Sequence, residues 1–278
     1  MKQQQLKRMH LRSRFFGTSF LGRADHNKSA VCGLRGNQSE MAADWKLKCN
    51  SQWQLGAHGV PMSDSVDWKS VFKKKPFQRN LLQNPSPYGV KHTIPPPEPH
   101  RSGMPPPPNQ PPQFEPIGSF SGWETSTEVL PYDTSGIPPG VVVCQLPRYS
   151  WFSLEQRVDL KSEGLWDQLL DEFQPEIVIE DWYEESQLHK SIYQLDVKLL
   201  GADGKTVIKQ HTYNPEENPK SSSHTWKKVS HVFSKYGPGV RYIHFLHRLK
   251  KRSMFDQFFN TKVTDSSIII KTSKAGVK

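Results

Sequence analysis

The residues in this chain best suited to bond-making chemistry are its histidines and paired acids. His189, His211, His224, His231, His244 and His247 crowd the second half. His231, His244 and His247 fall on strand-like stretches, where two of them could in principle share a metal ion. None is spaced i, i+4 on a helix or set beside a carboxylate in a ligand motif, so packed or exposed histidines are expected and no metal or cofactor is. Asp171-Glu172 and Glu184-Glu185 carry the carboxyl groups of a glycosidase pair, but neighbouring acids in a loop or helix end are ordinarily solvated charge. Ser150, Ser153 and the serines at 221–223 lack the Gly-x-Ser-x-Gly elbow that would expose a nucleophile. The run Arg248-Leu249-Lys250-Lys251-Arg252, continued by Ser253-Met254-Phe255-Asp256, carries more weight. It reads as a loop between two strands that joins cations to an apolar tip, and loops at the end of a rigid scaffold are where recognition concentrates. The chemistry on offer is contact rather than catalysis.

Elements to position such a loop are legible from Gly122 onward. Val141–Leu146 predicts a buried strand and Gln156–Leu160 a second. Within GLWDQLLDEF, Leu165, Trp166, Leu169, Leu170 and Phe173 form one helical stripe, which Pro175 ends. Glu176–Tyr183 and Ile192–Leu200 read as strands, the second alternating cleanly with Tyr193, Leu195, Val197 and Leu199 on one face. Ala202-Asp203-Gly204-Lys205 turns the chain into Thr206–Tyr213 as a hairpin. Trp226–Phe233 and Val240–His247 are joined through Tyr236-Gly237-Pro238-Gly239, and Lys262–Lys271 closes the series. Short strands separated by turns, with one short helix, predict an all-β fold, an antiparallel β-sandwich with a single core.

The preceding half differs in composition. Residues 1–62 are polar, basic and poor in apolar periodicity, a disordered region by composition. Residues 63–84 hold a short helix with Trp68, Val71 and Phe72 on one face, cut off by Pro76. Residues 85–116 are proline-rich, including IPPPEP and MPPPPNQPP, and read as an extended linker that could also dock on SH3 or WW domains. The folded domain is assigned to 117–272 and a tail to 273–278.

Net charge is +10 for 278 residues. Residues 122–278 hold 20 Lys plus Arg against 20 Asp plus Glu, so the excess lies in the first half. A duplex-binding domain concentrates basic charge on its fold, which argues against nucleic acid as partner. Cys32, Cys49 and Cys144 lack paired spacing, no apolar run resembles a secretion signal, and no stretch approaches the ~20 apolar residues of a transmembrane span. A reducing, cytoplasmic setting follows. Met41, in MAADWK, is a second possible start.

The segments WKSVF, RNLLQNP, GWET, VDLKSEGLWDQLLDEFQPEIVIEDWYEES, YQLDVKLL, SHVFSKYGPGVRYIHFLH and VTDSSIII, spread over about residues 68–272, resemble the F-box-associated domain of the sugar-recognising F-box proteins. The proline-rich insertion makes the chain most similar to that family's nonspecific cytotoxic cell receptor branch. The resemblance implies a galactose-binding-like jelly roll, no enzymatic activity, and a role as substrate-binding component of an SCF-type ubiquitin ligase in glycoprotein ER-associated degradation. A receptor or adaptor role on cytotoxic cells is the alternative, with the proline-rich tract making signalling contacts. Implied partners are a protein or glycoprotein ligand and ubiquitin-ligase subunits. Residues 1–67 lack the three-helix pattern of an F-box, with Trp45–Cys49 and the Trp68 helix as its downstream remnants. The family's sugar-gripping Tyr-Trp-Lys falls on Met254, Phe255 and Asp256, and its other aromatic position on Tyr149. Phe255 offers a smaller face without an N–H, Met254 lacks the hydroxyl, and Asp256 reverses the charge. Sugar hydroxyls buried without partners cost ~1–3 kcal/mol each, so the resemblance implies weakened or lost glycan binding.

Overall fold

The computed structural model describes residues 30–93, 118–132, 134, 136–143, 146, 148–184, 192–215, 225–254 and 257–272, with the backbone alone described at 30–40, 252–254 and 257–260. The chain divides into two compact units, Met1–Met41 and Ala42–Lys278. Among the described residues the second holds every strand: β1 Glu124–Val129, β2 Arg148–Asp159, β3 Glu176–Glu184, β4 Tyr193–Leu200, β5 Val207–Tyr213, β6 Trp226–Phe233, β7 Tyr242–Met254, β8 Gln257–Asn260 and β9 Val263–Lys271. They form an antiparallel two-sheet sandwich. One sheet runs β1-β2-β7-β4-β5 with β8 paired to β7, and the other runs β6-β3-β9. The chain crosses between sheets at β2–β3, β3–β4, β5–β6, β6–β7 and β8–β9, the jelly-roll manner of burying both inner faces in one core.

Alternation sets which face is inside. Tyr193, Leu195, Val197 and Leu199 of β4 are fully buried, as predicted, while Gln194, Asp196 and Lys198 face outward. The turn after β4 closes because the Asp203 carboxylate accepts from the amides of Lys205 and Thr206, both at 2.9 Å, and Gly204 takes φ +65°. Those bonds favour the ionised form and hold the Asp203 carboxyl down at about 2. The predicted stripe is also buried throughout, although its backbone makes one π-helical turn, Leu169–Phe173, rather than a regular helix.

Four expectations are corrected. Val141–Val143 form no strand and are exposed, Val142 at 89 %. The predicted strand at 156–160 is the C-terminal part of the longer β2, and the basic run 248–252 is no loop but the second half of β7. The fourth concerns 1–62. A helix, α1, covers Ala30–Trp53, and Cys49, Trp53, Leu55 and Val60 belong to the core. Burial pushes the Cys49 thiol up to about 11, as suits a packing residue. Residues 1–29 lie outside the described residues.

Helix α2, Trp68–Lys74, ends as predicted before Pro76, with the Asp67 carboxylate accepting from the Ser70 amide at 3.1 Å. Trp68 packs edge-on to Trp166, ring centroids 5.0 Å apart, and Trp166 donates its indole N–H to the Pro61 carbonyl at 3.1 Å. The following segment covers the open edge of β9. Gln78 donates to the Ile270 carbonyl, Leu81 to that of Ile268, and Ser266 to that of Pro85, at 3.1, 2.9 and 3.0 Å. Such cover removes the pairing hazard of an exposed strand. Residues 85–93, assigned to the linker, are tied in the same way, His92 Nδ1 lying 2.5 Å from the Asp265 carboxylate. Most of the proline-rich tract, 94–117, lies outside the described residues.

Candidate functional site

Register brings two of the expected site positions to one end of a strand pair. In the β2–β7 ladder, Arg148 faces Ser253, Tyr149 faces Arg252, Trp151 faces Lys250 and Ser153 faces Arg248. Strand β7 then reverses into β8, Met254 opposite Gln257. Tyr149 and the backbone of Met254 therefore share that end, and Phe255 and Asp256 lie outside the described residues.

At this end cations rest on aromatic faces. The Arg148 guanidinium sits 5.1 Å from the Tyr132 ring centre and donates to its hydroxyl at 2.5 Å. Lys250 Nζ lies 5.1 Å from the Tyr149 ring and 5.7 Å from that of Trp151, which also faces the Arg248 guanidinium at 5.2 Å. Lys251 Nζ stands 3.7 Å from the Phe152 ring centre, and burial there holds its ammonium below the ordinary lysine value. Each contact contributes about 0.5–2 kcal/mol, more where water is excluded. Among the described residues the one carboxylate meeting Arg148, Arg248 or Lys251 is that of Glu128, on Arg248. Trp151 and Phe152 are already covered, 8 % and 9 % exposed, and offer little surface for stacking a ligand, whereas Tyr132 stays 51 % exposed. Next to Arg248, the outer face of the sheet forms a groove of about 340 Å³ that includes Gln194, Asp196, Gln210 and Thr212. Its one acid, Asp196, is occupied by Gln210 Nε2 at 2.6 Å and Lys198 Nζ at 2.8 Å.

Reactive side chains do meet, but in the core. Asp181 of β3 accepts from the Tyr193 hydroxyl at 2.5 Å and the Ser266 hydroxyl at 2.7 Å, and its second oxygen also lies 3.0 Å from His247 Nδ1. All four residues are fully buried, and Trp123 stacks on the His247 ring at 4.8 Å. A substrate cannot reach this set, which bridges the two sheets as a polar crosslink. The sequence contained its signal: Asp181 is in phase with Ile177 and Ile179, and His247 with Phe245 and Leu249, so period two places both inside.

The other sequence candidates are separated. His211 and His231 stack across the sheets at 3.8 Å, and burial lowers both. His244 lies 2.7 Å from the Glu155 carboxylate on the outer face. Asp171 is engaged by Arg241, Glu184 and Ser153 are buried, and Ser150 is half-buried. His189, His224, Glu185 and the serines at 221–223 lie outside the described residues. Among the described residues no three His, Cys, Asp or Glu side chains gather as metal ligands, and no helix is long and apolar enough to cross a membrane.

Comparison with known proteins places this geometry. The family described as F-box associated region matches residues 72–270. The chain is 80% identical to F-box only protein 50 of Danio rerio over 238 residues, 86% of this chain and 100% of the relative. It is 39% identical to F-box only protein 50 of Homo sapiens over 219 residues, 79% of this chain and 71% of the relative. Among solved structures, TmCBM61 in complex with β-1,4-galactotriose covers 70% of this chain and 100% of its own length, at 13% identity and a TM-score of 0.33, a likeness that carries no argument.

Proposed function

The chain belongs to the F-box-associated family, and on that premise we propose that it is a non-catalytic recognition protein, the substrate-binding component of an SCF-type ubiquitin ligase. One observation supports this reading above others. The cation-and-aromatic group opens on the sandwich surface at the β2–β7 end, whereas the Asp181, His247 and Ser266 set is sealed in the core. A surface built to hold a partner and a core without access suit binding rather than turnover.

The substrate reading includes weakened glycan binding and service in glycoprotein ER-associated degradation from the cytoplasm. Tyr149 supports the weakening, because the Lys250 ammonium already faces the ring on which a pyranose would stack. The substitutions at Met254, Phe255 and Asp256 act in the same direction.

Affinity purification of the tagged full-length protein, beside an F-box relative whose ligase complex survives the same buffer, tests the ligase link. Recovery of cullin and Skp subunits with both proteins is expected. Recovery with the relative alone overturns the link. A glycan array checks the second point, and micromolar binding that free chitobiose competes away would refute the weakening.

A further inference from the structure

We infer that strand β1 pairs antiparallel with β1 of a second copy of this chain, joining two sandwiches into one continuous sheet across a two-fold axis. This goes beyond the recognition reading and does not depend on it.

Backbone geometry is the first argument. Strand β1 ends its sheet, with β2 as its neighbour among the described residues, and all six of its residues are exposed. The Leu130 amide donates to the Tyr149 carbonyl at 2.9 Å, which fixes the phase of the ladder. Antiparallel bonding alternates along a strand, so Glu124, Ser126 and Glu128 bond to β2, while Thr125, Thr127 and Val129 aim their N–H and C=O groups outward. Such a row is a template for another strand.

The treatment of the other edges is the second argument. Segment 78–85 bonds along β9 through the Gln78 and Leu81 amides and the Pro85 carbonyl. Strands β5 and β6 close on each other by the His211–His231 stack at 3.8 Å and by Lys209 Nζ donating to the Ser234 carbonyl at 2.8 Å. Lys227 and Lys228 of β6 add the charge that ordinarily blunts an edge. Strand β1 has no lysine, arginine or proline, and its Glu128 is neutralised by Arg248.

Self-complementarity is the third argument, and it selects the occupant. A two-fold axis at Ser126 would set Glu124 opposite Glu128 of the second copy, and an axis at Glu128 would set the two Glu128 side chains opposite each other. Like charges so placed repel. An axis at Thr127 avoids both. Thr127 then faces its counterpart, Thr125 faces Val129 and Ser126 faces Glu128, so every outward-aimed N–H and C=O of β1 finds a partner and like faces of the sheet stay together. Val129, 63 % exposed in the single copy, is covered by the Thr125 side chain. One patch that meets itself is what a closed two-fold dimer requires.

Sedimentation velocity of the full-length protein from about 5 to about 500 µM tests the inference. One short strand pair buries less than the ~1,200 Å² of a stable interface, so a monomer–dimer equilibrium with a dissociation constant of about 10–100 µM is expected. Thr127→Pro removes a donor that the single copy does not use, and it should abolish the dimer with the melting temperature kept. If that variant melts early, Thr127→Lys decides: two ammonium groups then face each other, and the dissociation constant should rise about tenfold or more. Thr127→Val should stay within about threefold of the wild type. Hydrogen exchange resolved to single amides locates the contact: Thr125, Thr127 and Val129 should slow as concentration rises, and Ser126 and Glu128 should change less. A monomer at every concentration, a dimer that neither Thr127→Pro nor Thr127→Lys weakens, or slowing confined to other strands overturns the inference.

Discussion

Strands β2 and β7 begin and end together, and both ends rest a cation on a ring, Arg157 on Tyr242 at 4.4 Å at one and Arg148 on Tyr132 at 5.1 Å at the other, but the first adds a multiply bonded carboxylate beside it. Beside the Asp159–Tyr242 end, Arg241 donates to both oxygens of Asp171 at 2.8 and 2.7 Å and reaches Asp167 through Nε at 3.0 Å. Asp171 also accepts the Gly239 amide at 2.7 Å, so one carboxylate locks the π-helical turn to the β6–β7 connection. At the Arg148–Ser253 end, the Tyr132 ring faces Arg148 and the Phe152 ring faces Lys251. Where the fold needs closure, ion pairs are complementary and multiply bonded. Where it needs only a positioned cation, a ring suffices and leaves hydrogen-bonding capacity outward.

Breaking the first end tests that contrast most severely. Asp171→Ala strips Arg241 and Gly239 of their acceptor and should cost about 2–3 kcal/mol, discounted from the fully buried range because the pair keeps some solvent. Arg148→Ala at the other end should cost less than about 1 kcal/mol. Urea midpoints at unchanged slope measure both. Equal losses would show that the ends do not differ. Acid sharpens the same point. The Arg241 hydrogen bond holds the Asp171 carboxyl below its ordinary 3.8, so its contribution is full above that value and is lost as pH falls through the lowered folded value. Asp171→Asn should flatten that acid limb.

Gly239 gives the next effect. It adopts φ +94°, and a Cβ there would meet Ile208 Cδ1 no closer than 3.6 Å, so space permits a side chain and backbone conformation does not. Gly239→Ala should cost about 1–2 kcal/mol, read from the same midpoints. Lys251 follows. Its ammonium is lowered by burial from the ordinary 10.5, so the unfolded chain binds the extra proton and stability rises with pH as 10.5 is approached. As pH rises toward 10.5 the wild type should gain on Lys251→Met in melting temperature. A parallel course would place that ammonium in water.

The sequence carried much of this, unevenly. Tyr193–Leu200 was legible because one face is apolar and the other polar, the pattern a half-buried strand imposes. Arg248–Arg252 was not, because β7 extends past the core and its inward position there is Lys251, whose apolar neighbour is a ring on another strand. Val141–Val143 misled in the opposite sense: β-branched residues favour strands, but no partner strand reaches them. The order at 42–62 had a signal. Trp45, Cys49 and Trp53 are spaced i, i+4, i+8, and all three pack on the core of the domain, yet charged residues between them dilute any average. Of the site, Tyr149 came from family resemblance, while the facing of Arg248, Lys250 and Lys251 on rings of β2 depends on cross-strand register, which composition does not encode.

The smallest expected effect separates two ways of holding Arg148. Its guanidinium both faces the Tyr132 ring at 5.1 Å and donates to the Tyr132 hydroxyl at 2.5 Å. If ring faces place the cations of this end, Tyr132→Phe keeps the face, removes the acceptor and changes stability by less than about 0.5 kcal/mol. Tyr132→Leu removes the face as well and should cost about 0.5–1 kcal/mol, read from the same urea midpoints. Should Phe and Leu lower the midpoint alike, the hydroxyl does the placing, and this end of β2–β7 relies on an ordinary hydrogen bond just as the Asp171 end does.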